Sequence, residues 1–573
     1  MSRQLRVAIA AVVTVAALWL TFIFGNIHYS GASNPEGASP IGFSIVDYIK
    51  SSIGGSGGRW YDTGRVDTME DDDDEDGKRS SSLDSSEQSL HLDSDDDDDI
   101  KHSALGKAHA GDAAIGRHRS QKTDDSSQSS QCESPHPGRP SLQYVLIVDA
   151  GSTGSRIHVY RFNNCKASPE LEGEVFDHTA PGLSAYPRDP EAAARSLDGL
   201  MRTALENVPK HLHKHTPVTV KATAGLRLLG AEASDKILAA TRRLLETKYP
   251  FPVIAKDGVS IMSGIDEGVY AWITVNHLLQ RIGHPDGKRR PTAALFDMGG
   301  GSTQAVFEPA RSDEDSAESV IASDDHKYDI TFGGKQYGLY QHSYLGYGLK
   351  EARRRMKEHI ADSHTATSTS SDSAVTKIEH ACFPPNWHNT FTHDENQLTF
   401  TGTASDVEHD NMTKCYDVAR AILNKDAACH AAPCSFDGIH QPAIHEHLPP
   451  TYPIYIFSYF YDRIAALGLP SRFTLSQLRS TAEKVCSHSS AHDHFADTYP
   501  TSSSGLEQSA AHAIKAHPHY CMDVTFMYAL LRDGYDIPDD RTIRMVKKIN
   551  GYETGWCLGA AIAIVDDINS NTP

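Results

Sequence analysis

Two segments of the chain place an aspartate just before a turn rich in glycine, serine and threonine. The first is YVLIVDAGSTGSR, from Tyr144 to Arg156, and the second is ALFDMGGGSTQ, from Ala294 to Gln304. Glycines let backbone N–H groups approach phosphate oxygens, hydroxyls add donors, and each aspartate can hold a divalent cation directly or through water. One copy alone is equally well explained as an ordinary β-turn. Two copies with Asp149 and Asp297 at matching places favour a clamp on a polyphosphate and its metal.

Two further segments contain residues that could take part in phosphate binding or catalysis. PVTVKATAGLRLL, from Pro217 to Leu229, predicts a strand that ends in a turn where Thr223 can donate to a phosphate or position water. Ile261 to Asn276 contains the acidic pair Asp266-Glu267 at the start of a predicted helix. Taken alone, this pair is explained by the favourable interaction of acids with the N-terminal end of a helix dipole.

The elements that must position these residues are strands mixed with helices, so the sequence predicts an α/β fold. A buried strand precedes each aspartate loop, and Asp189-Pro190-Glu191 is a typical helix start. Apolar residues follow that start at helical spacing, which predicts one amphipathic helix with a buried stripe: Leu197, Leu200, Met201, Ala204, Leu205 and Val208. A serine- and threonine-rich insert near 366–374 is typical of a surface loop.

Length and charge narrow the class of protein. The 573 residues exceed one small domain, and 75 acidic against 54 basic residues give a net charge of −21, which argues against a nucleic-acid partner. The charge is uneven, because residues 26–143 hold 23 acidic and 11 basic side chains. This serine-rich, aspartate-rich segment cannot bury enough apolar surface to fold, so we expect a disordered stalk.

The N-terminus predicts a membrane anchor. Val7 to Gly25 is nineteen residues without a charge, long enough to cross a bilayer as a helix. Arg3 and Arg6 precede it, and the next basic residue is Lys50, so residues 1–6 are expected in the cytoplasm and the rest on the other side, as in a single-pass type II protein. The alternative is a cleaved signal peptide with Ser30-Gly31-Ala32 as its small-residue site.

Nine cysteines fit a lumenal or extracellular chain with disulfides. The simplest sequential pairing is Cys382–Cys415, Cys429–Cys434 and Cys486–Cys521, although the sequence leaves the connectivity open. Zinc is the competing use, but no CxxC pair or HExxH helix supports it. Asn411-Met412-Thr413 is a candidate glycosylation sequon.

The chain resembles the apyrase, or nucleoside di- and triphosphatase, family in five signatures that occur in the family's order. They are the four segments described above, which begin at Tyr144, Pro217, Ile261 and Ala294, and TGWCLG, from Thr554 to Gly559. The resemblance spans residues 144–573 and implies a two-lobed, actin-like fold related to sugar kinases, with the nucleotide in the cleft between the lobes. Lobe I would comprise 144–258 with the return of 555–573, and lobe II would comprise 259–554. One departure is the acidic pair, which is Asp-Glu here where Glu-Glu is frequent.

Carried onto this sequence, the resemblance gives each candidate a role. Glu267 would be the general base that activates water, and Asp149 and Asp297 would organise a divalent cation, Ca²⁺, Mg²⁺ or Mn²⁺, largely through its water shell. Tyr461 would stack on the base, and Trp556 would support the cleft. The remaining residues would bind the phosphates and help to place the nucleophile: Ser152, Thr153, Arg156, Thr223, Gly299, Gly300, Gly301, Ser302, Thr303 and Gln304.

The implied activity is metal-dependent hydrolysis of nucleoside diphosphates, GDP and also UDP, by direct attack of water in the Golgi lumen. Its role would be to supply GMP for exchange against GDP-mannose and so to support glycosylation. The alternatives are a broad apyrase that also cleaves triphosphates at the cell surface or in endosomes, a kinase of the same superfamily, and a tethered binding protein without catalysis. The oligomeric state is left open.

Overall fold

A computed structural model describes residues 134–571, with gaps at 167–168, 284–287, 311–319, 323, 368–375, 385–386, 394–395, 404–409, 488–509, 511–512 and 515. The predicted cytoplasmic tail, the predicted membrane anchor at 7–25 and residues 26–133 of the predicted stalk lie outside the described residues. The predicted end of the stalk at residue 143 is wrong, because Leu142 and Gln143 are buried residues of the first strand. Within the described ranges, no helix has the length and apolar character needed to cross a membrane.

The N-terminal half of the described chain builds a five-stranded sheet and the helices that connect its strands. Its strands and helices are β1 (Leu142–Ala150), β2 (Ser155–Asn163), β3 (Glu170–Thr179), α1 (Pro190–Ser196), α2 (Asp198–Asn207), β4 (Val218–Ala222), α3 (Ala224–Leu229), α4 (Ala231–Lys248), β5 (Val259–Ile261) and α5 (Gly264–Leu278). The order of strands in the sheet is β3-β2-β1-β4-β5. Strands β1, β2 and β3 form an antiparallel meander, while β4 and β5 are parallel to β1.

The C-terminal half builds a seven-stranded sheet, a small three-stranded sheet and the helices around them. Its elements are β6 (Ala294–Met298), β7 (Ser302–Phe307), β8 (Lys327–Phe332), β9 (Lys335–Leu345), α6 (Leu349–Thr367), β10 (Thr376–Glu379), β11 (His388–His393), β12 (Asn396–Thr401), α7 (Asp410–Leu423), α8 (Ile444–His447), β13 (Ile454–Ser458), α9 (Tyr459–Ile464), β14 (Arg472–Thr474), α10 (Leu475–Cys486), α11 (Tyr520–Ala529), β15 (Thr542–Met545), β16 (Lys548–Ile549), β17 (Tyr552–Glu553) and α12 (Cys557–Asn571). The order of strands in the large sheet is β14-β15-β13-β6-β7-β9-β8, and the order in the small sheet is β10-β12-β11.

The two large sheets share one plan. In each, a central strand carries an aspartate at its end: β1 has an antiparallel hairpin partner on one side and the parallel β4 on the other, and β6 lies in the same way between β7 and β13. The repeated loops of the sequence therefore occupy equivalent places in two similar sheets. The lobe boundaries given by the resemblance remain predictions.

Alternate side chains of β1 face two different hydrophobic cores, one on each side of the first sheet. Leu146 and Val148 face a core shared with α1, α2 and α4, whereas Val145 and Ile147 face a central core that also contains α5, α12 and residues of the second sheet. Because both faces of this strand are buried, its sequence contains the continuous apolar run YVLIV. Helix α5 lies in this central core, which fixes its first turn relative to both sheets.

Local predictions differ from the structure in three places. The helix predicted from residue 190 is two helices that meet at Leu197, and Asp189 caps the first by accepting from the Ala192 N–H at 2.8 Å. Leu205 is exposed rather than buried, because the second helix packs through Leu200, Met201 and Ala204. The start of the predicted surface loop near 366 is the end of α6, and residues 368–374 lie outside the described chain.

Disulfides join the three sequential pairs, Cys382–Cys415, Cys429–Cys434 and Cys486–Cys521, while Cys557 is a free, buried thiol. The second half of the chain is therefore covalently tied at three points. The sequon gives a correction: Asn411 is 1% exposed, and its amide donates to the Cys486 carbonyl at 3.3 Å. The fold presents no accessible acceptor for a glycan at this asparagine.

Candidate active site

The two aspartate loops are closed by the same backbone hydrogen bond. Gly151 N–H donates to the Gly154 carbonyl at 3.0 Å, and Gly299 N–H donates to the Ser302 carbonyl at 2.9 Å. Asp149 pairs across its hairpin with Arg156, and Asp297 pairs across the other hairpin with Gln304, so each aspartate faces the residue seven positions later. The matching spacing in sequence is therefore a matching geometry.

These loops touch each other. A Cβ on Gly300 would lie 2.4 Å from the Ser152 hydroxyl, so the two loops are in close contact at this point. The turn after β4 joins them, since a Cβ on Gly225 would lie 2.8 Å from Ser152 Cα and one on Gly301 would lie 2.8 Å from Ala224 Cβ. Three turns that the sequence separates by about seventy residues each thus converge on one place.

Helix α6 orients the second loop. The Leu349 and Lys350 N–H groups donate to the carbonyls of Gly299 and Gly300 at 2.9 and 3.0 Å. In a trans peptide the N–H points opposite to the carbonyl, so the N–H groups of Gly300 and Gly301 point away from α6. Backbone donors arranged in this way form a concavity suited to an anion.

The two acidic residues at the start of α5, Asp266 and Glu267, have different hydrogen-bond partners. Ser263 caps the helix by accepting from the Asp266 N–H at 3.0 Å, and its hydroxyl donates to the Asp266 carboxylate at 2.7 Å. Asp266 is therefore part of the helix cap, as the dipole explanation requires. Glu267 instead pairs with Arg227 of α3 and accepts from Gln304 Nε2 at 3.4 Å.

Strand alternation decides which residues of β7 line the site. Ser302 and Gln304 share one face, and Gln304 Nε2 donates to the hydroxyls of Ser302 and of Ser343 on β9, both at 2.9 Å. Thr303 corrects a prediction: its hydroxyl donates to the Asp297 carbonyl at 2.6 Å and contacts the Tyr535 hydroxyl at 3.3 Å in the core. The Thr303 hydroxyl is therefore on the face of β7 opposite to Ser302 and Gln304 and is not available to a phosphate.

Glu267 has the protonation behaviour of a general base. Burial raises the pKa of its carboxyl, Arg227 lowers it, and the Asp297 and Asp149 carboxylates raise it, which together leave the pKa at about 7. Its Oε2 accepts from Arg227 and Gln304, and within the described chain no hydrogen bond reaches Oε1. A base with a pKa near the working pH and one free oxygen is suited to take a proton from water.

Asp149 and Asp297 fit a hydrated divalent cation. The Oδ1 atom of each is buried and accepts no hydrogen bond from the described residues, which is costly unless a ligand satisfies it. Burial raises the pKa of Asp149, and burial with the Asp149 charge raises the pKa of Asp297 to about 6. In the described ranges no cluster of three histidine, cysteine or carboxylate side chains is placed to hold a metal ion.

Other side chains fix these aspartates. The Trp556 side chain, which is buried, hydrogen-bonds the Asp149 carboxylate, while Arg156 Nη1 lies 3.5 Å from the same group. Ser458 hydrogen-bonds Asp297 from the end of β13, where it adopts a positive φ of 58°. A non-glycine residue in this region is strained, so the surrounding structure must hold Ser458 at that point.

The remaining predicted residues lie around these groups. Ser152 and Thr153 are half-buried in the first loop, and Arg156 is partly exposed at its end. Thr223 precedes α3 and is tied to the first loop, because its N–H donates to the Ala150 carbonyl at 3.2 Å. Tyr461 is half-buried in α9, packed against the core of the second sheet.

Three contributors were not predicted from the sequence: Arg227, Ser343 and Ser458. Arg227 lies within the segment that contains Thr223, so a basic residue in a phosphate-binding turn was the available signal. Ser343 and Ser458 are ordinary serines in strands and carry no local signal. Their roles depend on strand pairing between distant parts of the chain, Gln304 with Ser343 and Asp297 with Phe457.

Glu267 lies beside two facing glycine-rich loops that each follow an aspartate, and the two sheets share one plan; this is the arrangement expected of a phosphohydrolase of actin-like α/β fold. The chain matches the GDA1/CD39 (nucleoside phosphatase) family over residues 138–573 and belongs to it. It is therefore an enzyme, a nucleoside phosphatase, and the family predicted from the signatures is confirmed.

Curated relatives support this assignment, and a solved structure shares the fold. The chain is 46% identical to a probable guanosine-diphosphatase of Aspergillus fumigatus over 76% of this chain and 88% of that one. It is 43% identical to the guanosine-diphosphatase of Saccharomyces cerevisiae over 77% of this chain and 82% of that one. A nucleoside triphosphate hydrolase from Neospora caninum has the same fold, with a TM-score of 0.51, 13% identity and coverage of 75% and 94%.

Proposed function

We propose that the chain hydrolyses nucleoside diphosphates, GDP foremost and UDP as well, to the monophosphate and phosphate. The carrying observation is that Glu267 lies beside two facing aspartate loops, with one carboxylate oxygen free of hydrogen bonds from the described residues. The guanosine-diphosphatases among its relatives support the choice of nucleotide.

In the proposed mechanism the terminal phosphate lies against the N–H groups of the Gly299–Gly301 loop and the hydroxyls of the facing loop. Oε1 of Glu267 removes a proton from a water that attacks phosphorus opposite the bridging oxygen, and that oxygen leaves on the nucleoside monophosphate. Gln304 Nε2 donates to Glu267 Oε2 at 3.4 Å and to the Ser343 hydroxyl at 2.9 Å. These contacts restrict movement of the Glu267 side chain away from the water. Phosphoryl transfer depends mainly on such positioning and on charge neutralisation.

A divalent cation, Ca²⁺, Mg²⁺ or Mn²⁺, would be held by Asp149 and Asp297 through water and would neutralise charge on the phosphates. The two orphaned carboxylate oxygens support this assignment. Arg156 adds a fixed positive charge at the end of the first loop. These groups offset the acidic character of the chain, whose net charge is −21.

The proposed location is the Golgi membrane, with the catalytic part in the lumen and a role in exchanging GMP for GDP-mannose in glycosylation. The predicted type II anchor at 7–25 supports this location, as do the disulfides, which form in oxidising compartments. A fluorescent fusion that colocalised with a cell-surface marker would contradict it.

Phosphate release from nucleotides tests the activity. We expect the purified full chain to release phosphate from GDP with a divalent cation and to lose it with a chelator. Glu267→Gln should lower kcat by about 10²–10⁴-fold, since it removes the general base. The matched control is Asp266→Asn, which alters the neighbouring acid in the helix cap and should keep most of the activity.

The same assay separates the alternatives. A chain that turned over GTP as fast as GDP would be a broad apyrase. A chain inactive on every di- and triphosphate with each of the three cations, or a Glu267→Gln variant that kept most of its activity, would refute the proposal.

A further inference from the structure

A buried histidine–carboxylate pair lies next to the first aspartate loop. His158 Nδ1 and Glu174 Oε1 are 2.6 Å apart, and the two side chains are only 5% and 6% exposed. The Tyr160 hydroxyl lies 3.3 Å from the same histidine nitrogen. Alternate residues of a strand face the same side, so His158 shares one face of β2 with Arg156, which is paired in register with Asp149. The pair therefore lies one step from the loop on the face of the sheet that carries Asp149.

Glu174 also holds a segment from the far end of the chain. Its second oxygen, Oε2, accepts from the backbone N–H of Glu553, the last residue of β17 and 379 positions later in the sequence. Both oxygens of the carboxylate are thus used, one on β2 and one on the segment that leads to α12. A buried carboxylate is costly unless its oxygens are satisfied in this way, so the bridge has a defined geometry.

The bridged segment positions Trp556. This residue follows Glu553 by three positions, is 4% exposed, and hydrogen-bonds the Asp149 carboxylate through its side chain. The only hydrogen-bonding group of an indole is its N–H, which donates. The backbone that carries Trp556 is therefore held by Glu174 on the same sheet that carries Asp149.

A second anchor lies on the other side of Trp556. Three residues later, the Gly559 N–H donates to the Thr274 hydroxyl of α5 at 2.8 Å. Helix α12 packs so closely on α5 here that a Cβ on Gly559 would overlap the Tyr270 carbonyl. Trp556 thus lies between two fixed points, one on the first sheet and one on the helix that carries Glu267.

We propose that Glu174, together with His158, is a positioning residue for the cation site, because it fixes the segment that places the Trp556 indole on Asp149. The inference rests on the proposed function, in which Asp149 holds the hydrated cation. Without Glu174, the Glu553 N–H loses its acceptor and the first anchor of the segment is lost. The Asp149 carboxylate would then be less firmly oriented, and the cation would bind more weakly.

The test measures Mn²⁺ binding by calorimetry, with the full chain and the non-hydrolysable α,β-methylene analogue of GDP. Glu174→Ala should raise the apparent dissociation constant of Mn²⁺ about 10-fold, the lower end of the range for residues that orient metal ligands. Glu174→Gln keeps an oxygen that can accept from the Glu553 N–H, so it should retain most of the affinity. In the GDP assay, the Mn²⁺ concentration for half-maximal activity should shift by the same factor, while kcat at saturating Mn²⁺ should change little.

A double-mutant cycle shows whether Glu174 acts through Trp556. Trp556→Phe removes the indole N–H and keeps an aromatic side chain. In the Trp556→Phe background, Glu174→Ala should have little further effect on Mn²⁺ affinity, so the two losses should not add. The matched control is Asp362→Asn, which breaks a histidine–carboxylate pair of 2.8 Å with His393 in the second half of the chain and should leave Mn²⁺ affinity unchanged.

A further variant separates positioning from stability, because Glu174→Ala leaves His158 buried without its partner. The double change His158→Phe, Glu174→Leu replaces both groups by apolar side chains, which folded proteins tolerate well. It should keep a melting temperature near that of the wild type and still bind Mn²⁺ about 10-fold more weakly.

Wild-type Mn²⁺ affinity in this double variant would overturn the proposal. A Glu174→Ala effect that adds fully to that of Trp556→Phe would also overturn it, as would a wild-type chain that binds no Mn²⁺. Failure of the proposed function is a different result, in which the wild type binds Mn²⁺ with the analogue but releases no phosphate from GDP. The calorimetric comparison would then still decide the role of Glu174, since it does not depend on turnover.

Discussion

Replacing Arg227 with glutamine should shift the pH at which the enzyme becomes active. Arg227 forms an ion pair with Glu267 and lowers the pKa of that carboxyl against burial and two neighbouring aspartates, which leaves it at about 7. Loss of one positive charge at ion-pair distance raises a carboxyl pKa by about 1–3 units. The general base of Arg227→Gln should therefore titrate at roughly 8–10.

The effect on rate follows from the ionised fraction of Glu267, because only the carboxylate can take the proton. With a pKa of about 7, half of Glu267 is ionised at neutral pH. At a shifted value of about 8.5 only about 3% would be ionised, so kcat/KM at neutral pH should fall about 15-fold. Above pH 9.5 or so the variant should regain most of the wild-type rate.

The assay is kcat/KM for GDP measured across pH, since this ratio reports the pKa values of the free enzyme. Arg227→Lys keeps a positive charge and should shift the profile less. Arg242→Gln, which removes a surface i,i+4 pair with Glu246, should not shift it. A profile for Arg227→Gln that keeps its wild-type midpoint while the rate falls equally at every pH would show that Arg227 does not act through Glu267.

Three further predictions concern the loops and the sequon. Gly225→Ala should lower kcat/KM strongly, because its Cβ would lie 2.8 Å from Ser152 Cα, a backbone atom that can move away only if the first loop is displaced; a fully active variant would mean that the loop tolerates this displacement. Asp297→Asn should raise the cation concentration needed for half-maximal activity and lower the midpoint of the pH profile, because Asp297 raises the pKa of Glu267. Asn411→Gln should leave electrophoretic mobility unchanged but lower the melting temperature, since the buried Asn411 amide donates to a backbone carbonyl.

Local sequence could predict the loops because their requirements are local. An apolar strand, an aspartate at its end and glycines in the turn are all determined within about a dozen residues, and the same pattern occurs twice. The orientation of Thr303 was also available from the sequence, since a strand that turns Ser302 and Gln304 to one side must turn Thr303 to the other. The prediction that Thr303 binds a phosphate is therefore wrong because of strand alternation.

Contacts between distant segments could not be predicted in the same way. The pair between Arg227 and Glu267 joins residues forty positions apart, and it exists because the fold brings the end of α3 to the first turn of α5. The burial of Asn411 likewise depends on the Cys486 carbonyl, seventy-five residues away. A tripeptide pattern contains no information about such a neighbour.

Residue types and spacing were enough to predict the family, the α/β class and the two aspartate loops, and the resemblance pointed to Glu267 as the candidate base. Contacts between remote segments supplied the rest: Arg227 as the ion-pair partner of Glu267, and the buried Oδ1 atoms of Asp149 and Asp297 that accept no hydrogen bond from the described residues. Residue type and spacing specify local backbone conformation, whereas pKa values and hydrogen-bond partners depend on desolvation and on charges brought together from distant parts of the chain.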